Sequence, residues 1–160
     1  MEQGIKPTVG FIGIGVMGKS MAGHLLAAGY PLVVYNRTKA KADALLAQGA
    51  AWAECPGAVA KACDVVITMV GYPKDVEETY LGENGLISKG RSGALFIDMT
   101  TSSPALARRI AVAAKNAGMA ALDAPVSGGD VGAREARLAI MVGGETADFE
   151  RAKPIFDLLG

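Results

Sequence analysis

The sequence predicts a doubly wound α/β fold, a mainly parallel sheet with helices on both faces. Three observations predict it. Short apolar runs alternate with amphipathic stretches, the runs are apolar at successive positions, and glycines gather at the junctions between them. Strands apolar on both faces and linked by helices belong to a parallel sheet covered on two sides, with right-handed crossovers. The 160 residues, 51% hydrophobic and 20% charged, suit one folded domain rather than a disordered chain.

Each element has a local reason. Thr8–Ile12 reads as a buried strand, and Val16–Ala28 as a helix closed by Gly29. Leu32–Tyr35 is a second strand, the Ala/Lys/Leu-rich stretch Lys39–Gln48 a helix, and Ala50–Ala53 a short third strand. A helical turn follows Pro56, Val65–Met69 is a fourth strand, and Lys74–Leu81 is a helix. Leu95–Met99 is a fifth strand, and Pro104–Ala117 a helix ended by Gly118. Met119–Asp123 and Leu138–Val142 read as strands, and Ala147–Leu159 as the last helix. The link between those two strands is too brief for a full helical crossover, so an antiparallel member is expected there.

Composition excludes several classes of function. Sixteen basic and sixteen acidic side chains balance, which gives no gross pull toward nucleic acid or an anionic membrane. One His and two Cys, Cys55 and Cys63 standing eight positions apart, offer no metal-ligand spacing, so no metal is expected. The cysteines read as reduced structural thiols. No run reaches the ~18 apolar residues of a membrane span. The first residues, Met1 to Pro7, have no apolar signal core, so a cytoplasmic location is expected.

Glycine is in excess, 21 residues of 160, against a usual share of about 7%. Three positions in one hexapeptide use it with a mechanical logic. Gly13-Ile14-Gly15-Val16-Met17-Gly18 is a GxGxxG set directly between a strand and a helix. Gly13 permits the tight turn, Gly15 lets a pyrophosphate approach the backbone, and Gly18 lets helix and sheet close up. Free N–H groups and the positive end of the helix dipole then favour an anion. In this context the fold is of the Rossmann type, although a plain strand–helix turn would also use such glycines.

The second strand runs into Asn36, Arg37 and Thr38. In NAD-binding versions a carboxylate about 20 residues past the glycines takes the ribose 2′-hydroxyl. Asn36, 23 positions beyond Gly13, is not acidic, and Arg37 follows it. A guanidinium grips a 2′-phosphate through charge-assisted hydrogen bonds, and Asn36 and Thr38 add neutral ones. The expected cofactor is therefore NADP rather than NAD. Arg37 alone also fits a solvated surface charge.

Three further segments carry a family resemblance: Asp98-Met99-Thr100-Thr101-Ser102-Ser103-Pro104, Asp123-Ala124-Pro125-Val126-Ser127-Gly128-Gly129 and Leu138-Ala139-Ile140-Met141-Val142-Gly143-Gly144. With the glycine turn, they make nearly the whole chain resemble the β-hydroxyacid dehydrogenases. That group contains 3-hydroxyisobutyrate and 6-phosphogluconate dehydrogenases and tartronate semialdehyde reductases. The resemblance implies an oxidoreductase that moves a hydride between NADP(H) and a small β-hydroxyacid or semialdehyde.

It also implies residue roles. Ser127, Gly128 and Gly129 would offer a hydroxyl and backbone N–H groups to the substrate carboxylate, a nest-like arrangement, or would serve only as a turn. Thr101 would lie near the nicotinamide ribose, while Ser102 departs from the family's apolar residue. Val70 and Gly71 resemble positions lining the cofactor, Gly71 in place of a common Pro. Val76 is a candidate for packing on the adenine and equally for the helical core.

The family's acid/base lysine lies in a GxxxKxxN segment, expected beyond Gly160. No catalytic residue is therefore expected within the chain, and the chain alone is expected to be inactive. The resemblance places that lysine in a C-terminal helical domain, which also supplies much of a homo-oligomer interface in the full-length protein. His24 shares a helix face with Met17, Met21 and Ala28, a packed rather than catalytic position. Two other readings remain: a self-standing, non-catalytic dinucleotide-binding module, and a SAM- or FAD-binding domain, which leaves Arg37 and the Ser127–Gly129 turn unexplained.

Overall fold

Val9–Ile12 (β1), Val65–Thr68 (β4) and Leu95–Asp98 (β5) are buried at every position. In β4 and β5 successive side chains enter opposite cores, Val65, Ile67, Leu95 and Ile97 on one face and Val66 and Phe96 on the other. That two-sided burial is why these strands read as unbroken apolar runs. The computed structural model describes residues 6–101 and 103–160. The reading of the first five residues and the comparison at Ser102 fall outside them.

Leu32–Tyr35 (β2), Ala51–Trp52 (β3) and Ala120–Asp123 (β6) complete a six-stranded sheet in the order β3-β2-β1-β4-β5-β6. Every pair in it is parallel, as the sequence predicts. Val9 stands level with Leu32 on one side and Val65 on the other. The chain winds outward from β1 to β3, then returns to lay β4 on β1's free side. A crevice therefore opens beyond the carboxyl ends of β1 and β4.

Helices cover both faces. Val16–Ala27 (α1) and Asp43–Ala47 (α2) contribute to one core. Pro56–Ala62 (α3), Pro73–Leu81 (α4) and Leu86–Lys89 (α5) contribute to the other, with Pro104–Asn116 (α6). Three of these start with Pro in the first turn, where its missing N–H costs nothing. Ser103 caps α6, its hydroxyl accepting from the Leu106 N–H at 3.0 Å.

The structure corrects the last third most. Leu138–Val142 is not a strand of the main sheet; only Ala139–Ile140 (β8) is extended, and it pairs antiparallel with Val126–Ser127 (β7). A bridge between Asp123 and Gly143 ties this ribbon to the sheet edge. Between β7 and β8 lies Gly129–Arg134 (α7), which packs on α1. There the His24 Nε2–H donates to the Ala133 carbonyl at 2.9 Å, a packed role for that ring. Thr146–Phe156 (α8) closes the chain. The stretch read as one helix over Lys39–Gln48 is a 3₁₀ turn, Lys39–Ala42, running into α2. Among the described residues no helix is long and apolar enough to cross a membrane.

Candidate functional site

The turn from β1 to α1 is built around two crowded glycines and one open one. Gly13 has φ +102°, and a Cβ there would stand 2.1 Å from the Met69 carbonyl oxygen. A Cβ on Gly18 would stand 1.9 Å from the Gly13 oxygen. No other residue fits either place. At Gly15 a Cβ would meet nothing within 4 Å. Protein packing therefore does not demand glycine there, whereas a ligand lying against the backbone would.

That open glycine is the N-cap of α1, which has no side-chain cap and no acidic residue in its first turn. The first helical bond runs from Lys19 N–H to the Gly15 carbonyl, so the Val16, Met17 and Gly18 N–H groups have no intrahelical acceptor. Val16 itself is exposed. The result is an uncovered, electropositive helix end facing the crevice.

A cleft of about 800 Å³ spreads from this point. It is lined by Gly13, Gly15 and Met17 from the turn, Asn36, Arg37, Thr38 and Lys41 beyond β2, and Val70 and Gly71 beyond β4. The structure thus gathers most residues chosen from the sequence into one space. It places several others outside that lining.

The Asn36 Oδ1 accepts from the Ile14 N–H at 2.8 Å, and its Nδ2 donates to the Thr38 carbonyl at 2.9 Å. Asn36 therefore braces the glycine turn instead of offering both ends of its amide to a ligand. Ile14 is buried in the core. Val76 is wholly buried in the second core, and Thr79, three positions on, lines the cleft in its place.

Thr101 is exposed at the end of β5 and is not among the cleft's lining. Its neighbour Thr100 is the buried one: the Thr100 Oγ1 accepts from the Val70 N–H at 3.0 Å. The Thr100 N–H in turn donates to the Asp98 Oδ1 at 3.1 Å, and the Thr68 hydroxyl donates to the same oxygen at 2.9 Å. The Tyr80 hydroxyl completes the chain on Thr68 at 2.8 Å. Burial pushes the Asp98 carboxyl up to about 6 against the opposing pull of the Thr100 and Thr68 hydrogen bonds. Asp98 and Asp123 also face a smaller apolar pocket of about 320 Å³ under α6.

Asp75 was not visible as a site residue in the sequence. From the first turn of α4 its Oδ1 lies 2.9 Å from the Arg37 Nη2. This pairing raises the already high pKa of the guanidinium. Tyr72, the N-cap of α4, also lines the cleft and is exposed. No signal in the sequence links positions 37 and 75, because the loop after β2 and the first turn of α4 meet only at the folded cleft.

Ser127 is exposed at the end of β7, and Gly128 and Gly129 follow at φ +136° and +63° to start α7. The structure does not bring these three into the lining of the large cleft. No group of three or more potential metal ligands converges among the described residues.

Residues 8–160 match the family model for the NAD binding domain of 6-phosphogluconate dehydrogenase. The chain belongs to this family. The NAD-binding domain is 58% identical over 156 residues to the uncharacterized oxidoreductase YkwC of Bacillus subtilis, covering 98% of this chain and 54% of that protein. Among solved structures it superposes on Mycobacterium tuberculosis 3-hydroxyisobutyrate dehydrogenase with L-serine at a TM-score of 0.91 and 35% identity. That match covers 98% of this chain and 53% of the other. It also superposes on Psf3 in complex with NADP+ and 2-OPP, at a TM-score of 0.90 and 32% identity, over 95% of this chain and 54% of that one. The chain spans about half the length of these proteins.

The cleft fits a nicotinamide dinucleotide. The NAD-binding domain presents three N–H groups without intrahelical acceptors, and the space a Gly15 side chain would fill stays open beside them, an arrangement suited to an anion. The rim beyond β2 supplies Arg37 and Lys41 on the side where such folds take the adenosine ribose.

Proposed function

We propose that this chain is the NADP(H)-binding part of a cytoplasmic, homo-oligomeric oxidoreductase that transfers a hydride between NADP(H) and a small β-hydroxyacid or semialdehyde. The observation that carries the reading is the rim of the cleft beyond β2. It holds Arg37, Thr38 and Lys41, and the usual acidic position is occupied by Asn36, which is committed to the turn. Two cations and a hydroxyl suit a ribose 2′-phosphate. The hydride chemistry is the cofactor's, and this chain binds and orients it.

The substrate class follows from the family and from the Ser127–Gly129 turn, whose positive-φ glycines expose backbone N–H groups suited to a carboxylate. Within residues 1–160 the reading assigns dinucleotide binding and names no acid/base group. Calorimetric titration of the Arg37→Ala variant tests the cofactor reading. Loss of a charge-assisted hydrogen bond weakens NADP+ by roughly 10- to 150-fold and leaves NAD+ little changed. An unchanged NADP+/NAD+ affinity ratio would overturn it.

A further inference from the structure

We propose that Asp75 is a specificity-determining residue of the dinucleotide cleft: it competes with a ribose 2′-phosphate for Arg37 and narrows the preference for NADP over NAD. The inference rests on the 2′-phosphate reading of Arg37 and deepens it. Sequence logic looks for a discriminating carboxylate at the end of the second strand, and position 36 holds Asn. The fold supplies one from elsewhere, 38 residues along the chain, with the Asp75 Oδ1 2.9 Å from the Arg37 Nη2.

The two partners are unequal. Asp75 sits in the first turn of α4, its N–H bonded to the Tyr72 carbonyl at 2.9 Å, and its side chain is only 21% exposed. Arg37 is 80% exposed on a long flexible stem. The carboxylate is the fixed post, and the guanidinium is the partner that can swing. Glu78, one turn further along α4, lines the same cleft and adds a second negative charge.

A 2′-phosphate arriving at Arg37 must displace Asp75 and then sit near both carboxylates. A 2′-hydroxyl instead meets a carboxylate acceptor, the chemistry used by NAD-type sites. An exposed ion pair is weak enough for a phosphate to displace, so the cleft admits both cofactors while favouring NADP. The preference is graded, and Asp75 sets the grade.

The experiment measures calorimetric affinities of the chain for NADP+ and NAD+, and for adenosine 2′,5′-bisphosphate and 5′-AMP as probes of the ribose end alone. Asp75→Asn, with Asp75→Ala as a second variant and melting curves as the folding control, is expected to raise both ratios about fivefold. That is the factor equivalent to the ~1 kcal/mol upper worth of an exposed pair. In an Arg37→Ala background the rise is expected to shrink, because only direct repulsion of the phosphate and the lost hydroxyl acceptor remain.

Unchanged ratios in folded Asp75 variants, with Arg37→Ala still lowering them, overturn the role of Asp75 alone. A rise that persists undiminished without Arg37 overturns the competition. Failure of Arg37→Ala itself to lower the ratios is the distinct result that removes the 2′-phosphate reading beneath it.

Discussion

At the end of β5 the Asp98 carboxyl keeps a charge at some expense. The Thr68 hydroxyl and the Thr100 N–H donate to one of its oxygens, the Thr100 hydroxyl also favours the charged form, and burial outweighs all three. A rise from 3.8 to about 6 corresponds to roughly 3 kcal/mol between the two protonation states. The folded state takes up this proton before the unfolded chain does. The associated stability is therefore fully present below about pH 4 and is lost as the pH rises through about 6. Asp98→Asn keeps an acceptor for both donors and removes the charge. It is expected to be more stable than the parent at pH 7 by about 1–3 kcal/mol in urea unfolding, with the difference shrinking toward pH 4. An equal difference at both pH values would show that the charge is not the cause. Nothing in the sequence marks Asp98 in this way, since its partners stand 30 positions upstream and two positions downstream. The same holds for Asn36, whose polar side chain looked free for a ligand until β1 and β2 set it against the Ile14 N–H. Residue types on the rim were legible; their pairings depend on which strands lie side by side.

Elements divide along a physical line. The strands β1, β4 and β5 were legible because two-sided burial leaves an unbroken apolar run, and α6 because Pro104 and Gly118 mark its ends. The helix α7 carries no such signal. It has six residues, two of them glycine and two charged, and its contact with α1 and His24 holds it in place. β7 is too short for any period to show. The β1–α1 turn was legible, and the structure separates its glycines by task. Gly18→Ala drives a Cβ into the Gly13 carbonyl, so α1 must lift from the sheet. A loss of about 2–4 kcal/mol in chemical unfolding is expected, within the range of severe packing changes. Gly15→Ala meets open space and a φ of −85° that alanine adopts readily. Its stability is expected to stay within about 0.5 kcal/mol of the parent, while NADP+ affinity falls at least about tenfold. A Gly15→Ala chain that binds as tightly as the parent would show that the pyrophosphate does not lie against this turn.

Across the whole molecule, the two cores are not independent, because β1, β4 and β5 form the wall between them. Opening either core strips one face of the same central strands, so heat or urea should unfold both together in a single transition. The cleft lies over the carboxyl ends of those strands, at the point where the winding reverses, and draws its lining from both layers of helices. A ligand that binds there only when the sheet is intact is linked to global unfolding. Dinucleotide at about 100 times its dissociation constant adds about 2.7 kcal/mol. For a chain of this size, each kcal/mol moves Tm by about 2–4 °C, which gives a rise of roughly 5–10 °C. Trp52, the sole tryptophan and part of edge strand β3, reports the transition by its fluorescence. NADP+ is expected to shift the parent in this way, and at the same concentration to shift Arg37→Ala much less, with the NAD+ shift nearly equal in the two. Two resolved transitions, or a dinucleotide-saturated sample that melts at the temperature of the free chain, would break the link between the cleft and the shared sheet.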